Sequence, residues 1–158
     1  MSTTTVYPFN NYVETGLRIL TILTSSFPIA YDIDHLIYFD FMVVHSGDIN
    51  RNETSLHPPV PNRRGEIFVR RTLIKTALDI FSHKGLIDIR FTSTGILYGA
   101  TETSVPFLET LSEDYTLALI SKAQWLMREF GSYELSRLRE LFESSMEKTR
   151  NEFNLEII

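Results

Sequence analysis

The chain has 158 residues, of which 43% are hydrophobic and 22% are charged, and its formal net charge is −5. This composition is typical of one soluble globular domain and argues against a generic nucleic-acid-binding protein. The absence of cysteine excludes disulfides and cysteine-based zinc sites and is compatible with the reducing cytoplasm, where we expect the protein to act. The longest apolar run, around Leu36–Val44, is too short to span a membrane.

Two helices are predicted before residue 45. Asn10 or Asn11 can cap the first helix, because a short polar side chain satisfies a free backbone amide there. Its expected core face consists of residues at helical spacing: Val13, Gly16, Leu17, Leu20, Leu23 and Thr24. Asp32 or Asp34 can cap the second helix, which reaches about Val44 and is apolar on nearly every side. That pattern is typical of a buried central helix.

A long loop, a third helix and a hairpin follow. Residues 46–62 show neither a helical nor a strand period and contain three prolines, which predicts an extended loop. A third helix is predicted from about Glu66 to Lys84, and Leu86–Phe91 and Ile96–Thr101 alternate as two strands. Three helices and a two-stranded wing predict an α+β chain, mostly α, with a winged-helix-like domain.

Further helices are predicted after the wing, within Thr101–Leu111, Glu113–Phe130 and Tyr133–Arg150. We therefore predict a winged-helix-like domain at 1–111 and a C-terminal helical extension at 112–158 that packs on it. The apolar stripe of the last helix favours packing on its own domain over docking to a partner.

Two charged residues fall in the middle of apolar helix faces. Asp40 lies among the core positions of the second helix, and Arg70 lies among those of the third. A charge on a buried face must be paired or must change its pKa. We predict a structural ion pair between Asp40 and Arg70, or between Asp40 and Arg71 if the third helix is rotated slightly.

Basic residues are concentrated in one part of the chain. Residues 61–100 carry 7 basic and 3 acidic residues, whereas the segments on either side are acidic. In a winged helix the third helix can enter a DNA major groove, so Arg63, Arg64, Arg71 and Lys75 could reach phosphates. Because the whole chain is acidic and the wing offers only Arg90, a protein-facing or solvated basic patch is favoured over DNA readout.

The long loop and its start contain His45, Asp48 and His57. Histidine and aspartate can bind a metal or transfer protons. The spacing of these residues matches no known site geometry, and no activated nucleophile stands beside either histidine. Hydrogen bonds that anchor the loop are therefore the favoured interpretation, and we expect no catalytic residue, no metal and no cofactor.

The stretch from about Pro8 to Phe130 resembles the middle component of bacterial ABC-three-component systems. The most specific pieces are HSGD at His45–Asp48, SLHPP at Ser55–Pro59 and the paired Arg70-Arg71. Residues beyond about Ser132 match nothing in the resemblance.

The resemblance implies a small winged-helix-like adaptor without enzymatic activity. Its partners would be a coiled-coil ATPase similar to the SMC (chromosome-maintenance) ATPases and an effector, often a nuclease or other toxic enzyme, in a defence system against phages or plasmids. DNA would be contacted mainly through the complex. The predicted partner or DNA interface is the loop and the helix after it: His45, Asp48, His57, Arg63, Arg64, Arg71 and Lys75.

Two other functions stay open at this point. A stand-alone winged-helix regulator would bind a specific duplex by itself, normally as a symmetric dimer. A small hydrolase using His45 and His57 would lose activity, but not complex assembly, on His57→Ala.

Overall fold

The computed structural model describes residues 11–50, 52–58 and 63–145, except for the side chains of residues 63 and 64. The helices and strands follow one another in this order: α1 (Tyr12–Ser25), α2 (Ile33–Val44), α3 (Ser46–Ile49), α4 (Arg63–His83), β1 (Ile87–Thr92), β2 (Gly95–Ala100), α5 (Ser104–Glu109) and α6 (Asp114–Phe130). Residues 135–145 are also helical. The chain is thus α+β and mostly helical, in a winged-helix-like arrangement.

The ends of the first two helices follow from short polar side chains. The Asn11 side chain accepts a hydrogen bond from the Glu14 amide, and the Asp32 side chain accepts one from the His35 amide. Each cap satisfies a backbone donor that has no partner inside its helix. At the end of α4, Gly85 has a φ of +74°, the left-handed conformation that glycine adopts without strain.

The wing is an antiparallel pair with Ile87 opposite Ala100 and Thr92 opposite Gly95. Its base enters the core, where Ile87 is 3% exposed, whereas the cross-strand partners Phe91 and Ile96 near the tip are exposed. Tyr31 adds a short antiparallel bridge to the outer edge of β2 at Tyr98. The bridge ties the start of α2 to the wing.

One hydrophobic core joins the helices. α1 packs against α4, α6 and α2. Leu119, Ala123 and Leu126 of α6 are buried in the same core, as are Leu138 and Phe142 of the last helix. The described part of that helix therefore packs on its own chain, as the apolar stripe predicts. A boundary at residue 111 stays a prediction.

Two expectations from the sequence are wrong. The predicted loop 46–62 is interrupted by the one-turn helix α3. Val13, placed on the core face of the first helix, is exposed, whereas Arg18 and Ile19 are buried. Arg18 and Ile19 are buried because α1 is enclosed by several helices, so its buried surface is wider than the single stripe that an amphipathic period defines. Val13 lies in the first turn of α1, before the buried part of the helix begins at Thr15.

Candidate functional site

The centre of the molecule holds a buried ion-pair network formed by three helices. Asp40 of α2 is completely buried, and Arg18 of α1 and Arg70 of α4 are 1% and 4% exposed. Arg18 donates through Nε to Asp40 Oδ1 at 2.7 Å, and Arg70 donates through Nη1 to Asp40 Oδ2. The predicted Asp40–Arg70 pair is present, and Arg18 is a second partner of the same carboxylate.

A second carboxylate balances the second guanidinium. Arg70 Nη2 donates to Glu66 Oε1 at 2.6 Å, one turn earlier on α4. Two arginines and two carboxylates therefore form a neutral set. The set joins α1, α2 and α4 by charge-assisted hydrogen bonds, which are stronger than neutral ones. Such a network fixes how the helices pack, although burial offsets much of its attraction.

The pKa values of the network favour the charged forms. Burial alone would raise the pKa of Asp40, but Arg18 and Arg70 outweigh it and hold the pKa below its usual value. Burial likewise opposes the charge of Arg18, and Asp40 outweighs it and raises the pKa of Arg18. For Glu66, the nearby His45 and Arg70 overcome partial burial and lower the pKa to about 2.

The two histidines of the predicted interface lie beside this network and not at the surface. His45 is 1% exposed and His57 is 7% exposed. This burial is not what the sequence predicts, and contact of these histidines with a partner stays a prediction. The physical reason is that α2 is enclosed on all sides, so that His45 at its C-terminus is covered by the segment that follows. His45 Nε2 lies 3.5 Å from Glu66 Oε1.

His57 anchors the loop to the rest of the fold. Its amide donates to the Val44 carbonyl at 3.0 Å, and its Nε2 lies 2.8 Å from Tyr115 Oη of α6. Burial and the nearby positive charge of Arg18 lower its pKa to about 3, so the ring is neutral at physiological pH. Glu53 adds an ion pair to Lys122 of α6. These contacts agree with the anchoring role that the sequence favours.

The other predicted interface residues have different positions. Arg71 and Lys75 are exposed on α4, and Arg71 pairs with Asp34 of α2 and not with Asp40. Asp48 is half-buried and lines a small cleft together with Leu141. The side chains of Arg63 and Arg64 lie outside the described residues. Only Arg71 and Lys75 of the predicted set are therefore seen to share an exposed surface.

Two exposed hydrophobic residues stand beside them. Phe68 is 78% exposed and Val69 is 55% exposed. We call the group formed by Phe68, Val69, Arg71 and Lys75 the α4 surface. Sequence reasoning found its charges but missed its apolar part, although Phe68 lies off the core face defined by Ile67 and Ile74.

Sequence reasoning also missed Arg18, for which a signal existed. Arg18 is the only basic residue among the first 50 and stands inside the apolar segment of α1. The argument that singled out Asp40 and Arg70, a charge within an apolar helix face, applies to it equally. Tyr115 gave no such signal, because its role depends on the position of His57.

A family profile described as ABC-three component (ABC-3C) system Middle Component 2 matches residues 8–152. The chain belongs to this family. The match extends past residue 132, where the resemblance seen in the sequence ended, and so includes the last helix. No curated protein and no solved structure gives a significant match to the chain.

As a middle component, the chain is one part of a system with several components. The family match includes the ion-pair network, the anchored loop and the α4 surface. No helix among the residues described here is long and apolar enough to cross a membrane. Within the same residues, no group of three or more histidine and acidic side chains is arranged to hold a metal ion.

Proposed function

We propose that this middle component is a non-enzymatic adaptor that links a coiled-coil, SMC-like ATPase to an effector in a bacterial defence complex. The effector would be a nuclease or another toxic enzyme, and DNA would be contacted mainly through the complex. The observation that carries the proposal is the family match over nearly the whole chain. The α4 surface is the part of the fold that we assign to a partner.

The chemistry of the α4 surface suits a protein partner. Phe68 and Val69 present apolar area to solvent, and Arg71 and Lys75 present positive charge beside it. Aromatic and arginine side chains are enriched at protein–protein contacts, where an apolar centre is surrounded by polar groups. A partner with an apolar pocket and acidic neighbours would complement this surface.

The wing does not favour DNA binding by the isolated chain. Its tip exposes 81% of Phe91 and 44% of Ile96, and residues 91–100 contain no lysine or arginine. A protein that holds DNA neutralises phosphates with basic side chains. The one basic residue of the wing, Arg90, is paired with Asp88. A stand-alone regulator would therefore rely mainly on α4, where Phe68 is the most exposed of the large hydrophobic side chains described.

The histidines give the hydrolase interpretation little support. His57 is neutral near pH 7 and its ring is hydrogen-bonded to Tyr115, and both histidines are buried. A general base needs access to the proton that it removes. The non-enzymatic role is a proposal that a turnover assay on the assembled complex can test directly.

The experiment is co-expression of the tagged chain with the genes on either side, followed by affinity purification. We expect both neighbouring products to be recovered with the wild-type chain. Phe68→Ser and Lys75→Glu should each reduce the recovery of one partner at least several-fold, because they remove apolar area or reverse charge on the α4 surface.

Lys84→Glu is the matched control. It makes the same charge change at an exposed position just after α4, and it should leave recovery unchanged. Purification of the chain alone, as a dimer with tight binding to one duplex sequence, would overturn the adaptor proposal in favour of the regulator.

A further inference from the structure

A second apolar surface lies away from the α4 surface, between the end of α1, α5 and the first half of α6. It is an open groove of about 420 Å³ whose lining includes Thr24, Leu108, Leu111 and Ile120. Leu108 is buried at 5% exposure, whereas Val105 and Leu117, which also line the groove, are 43% and 53% exposed. The groove thus combines a buried floor with two exposed aliphatic side chains.

The segment that carries α5 and the start of α6 is acidic. Residues 101–121 contain four acidic residues and no lysine or arginine, and all four are exposed: Glu102, Glu109, Glu113 and Asp114. Glu109 lines the groove itself. No ion pair joins any of these four carboxylates to another of the residues that the structure describes.

Only part of this charge has an explanation within the fold. Glu113 and Asp114 stand at the start of α6, where a negative charge interacts favourably with the helix dipole. Glu109 is the last residue of α5, where the same dipole disfavours a negative charge. The dipole of α5 therefore does not stabilise the negative charge of Glu109 at this apolar groove.

We infer that this groove binds an amphipathic helix from a partner subunit, with apolar residues on one face and lysine or arginine along its edges. An apolar stripe at helical spacing would cover Val105 and Leu117 and fill the groove, which has the size of a typical binding cleft. The basic edges would neutralise the unpaired carboxylates. The identity of the partner as a subunit of the complex rests on the proposed function.

The two surfaces differ in charge, and this difference assigns them to different partners. The α4 surface carries Arg71 and Lys75, and the groove is lined by Glu109, with other exposed acidic residues nearby in the sequence. A segment that complements one of them is repelled by the other, since like charges at an interface are strongly unfavourable. A single chain can in this way hold two components, each of which binds only its own surface.

The isolated full-length chain provides the first test. The probe is a labelled synthetic helix of about 15 residues with leucine on one face and lysine on the other, and binding is followed by fluorescence anisotropy. We expect Leu117→Arg to weaken binding at least about ten-fold, because it places a positive charge in the centre of the groove. Phe91→Ser, which removes an exposed apolar side chain at the wing, should not change it.

Charge-matched variants test whether peptide binding depends on the carboxylates near the groove or only on the net negative charge of the chain. Glu109→Lys with Glu113→Lys should weaken binding of the lysine helix several-fold. Glu134→Lys with Glu140→Lys changes the net charge equally at exposed positions elsewhere and should have little effect. Equal losses in the two double variants, or equal binding of a leucine–glutamate helix, would overturn the inference.

The complex provides the second test. A photo-crosslinking amino acid at position 117 of the co-expressed chain should attach to a basic, helical segment of a partner subunit, identified by mass spectrometry. Attachment to the same chain, to a second copy, or to an acidic segment would overturn the inference. Recovery of the complex without any crosslink from position 117 would refute the groove assignment while the adaptor proposal stands. Failure to recover a complex would refute the adaptor proposal, and the peptide experiment would still decide the groove.

Discussion

Replacement of Asp40 by asparagine is the most direct test of the ion-pair network. Asparagine keeps the size of aspartate and one acceptor oxygen, but its amide is a donor and faces a guanidinium that also donates. Arg70 would keep Glu66 as a partner. The remaining oxygen could still accept one bond from Arg18, but Arg18 would lose the negative charge that pairs with it. A buried positive charge would then lack its counter-charge.

The expected cost is large on the scale of protein stability. Removal of one partner from a buried ion pair costs about 3–5 kcal/mol, out of a total of about 5–15 kcal/mol for a typical domain. We expect the free energy of unfolding to fall by that amount for Asp40→Asn. Equilibrium unfolding in urea, followed by the fluorescence of Trp125 and by circular dichroism, measures the change.

Asp34→Asn is the matched control. It makes the same chemical change at the exposed pair with Arg71, where a salt bridge contributes about 0–1 kcal/mol. If Asp40→Asn costs no more than Asp34→Asn, the reasoning about buried charge is refuted. The combined replacement Arg18→Met, Asp40→Leu, Arg70→Met and Glu66→Gln removes all four charges. It should recover much of the lost stability, since uncharged residues of similar size can replace a buried ionic network.

Three further predictions concern stability. Gly16→Ala should destabilise the fold by about 1–3 kcal/mol, although alanine normally stabilises a helix, because the new Cβ would lie 2.2 Å from the Phe81 ring; a rise in melting temperature would contradict this. His57 has its folded pKa lowered from 6.5 to about 3, so protons bind preferentially to the unfolded chain, and stability should fall as the pH drops below about 6.5. His57→Gln should reduce the pH dependence of the urea midpoint between about pH 7 and pH 5.5, where most carboxylates stay ionised; an unchanged profile would argue against a buried neutral imidazole. Phe91→Ser should change the free energy of unfolding by less than about 0.5 kcal/mol, as calorimetry would show, because the side chain is mostly exposed.

Local rules predicted much of the fold. Asn11 and Asp32 mark helix starts because their side chains bond to amides three residues away. Gly85 marks a helix end because it alone adopts the left-handed conformation there without strain. Each of these signals acts over a few residues, so it can be read from sequence without knowledge of the tertiary packing.

The features that depend on packing were predicted less well. The Asp40–Arg70 pair was found, because a charge inside an apolar face needs a partner wherever the helices meet. The burial of His45 and His57 was not found, since it depends on how the segment after α2 folds back toward Tyr115 of α6. The groove was missed for the same reason: Val105 and Leu117 become neighbours only when α5 and α6 are placed.

The ion-pair network also determines how the molecule can respond to force. Arg18, Asp40 and Arg70 belong to three helices, so sliding one helix past another by a turn, about 5.4 Å, would separate buried charges. Glu53 and His57 fasten the loop before α4 to α6 in addition. We therefore expect the protein to behave as a rigid spacer and not as a hinge. A movement applied at the α4 surface would displace the groove by the same distance, so that two components held by this chain would move together.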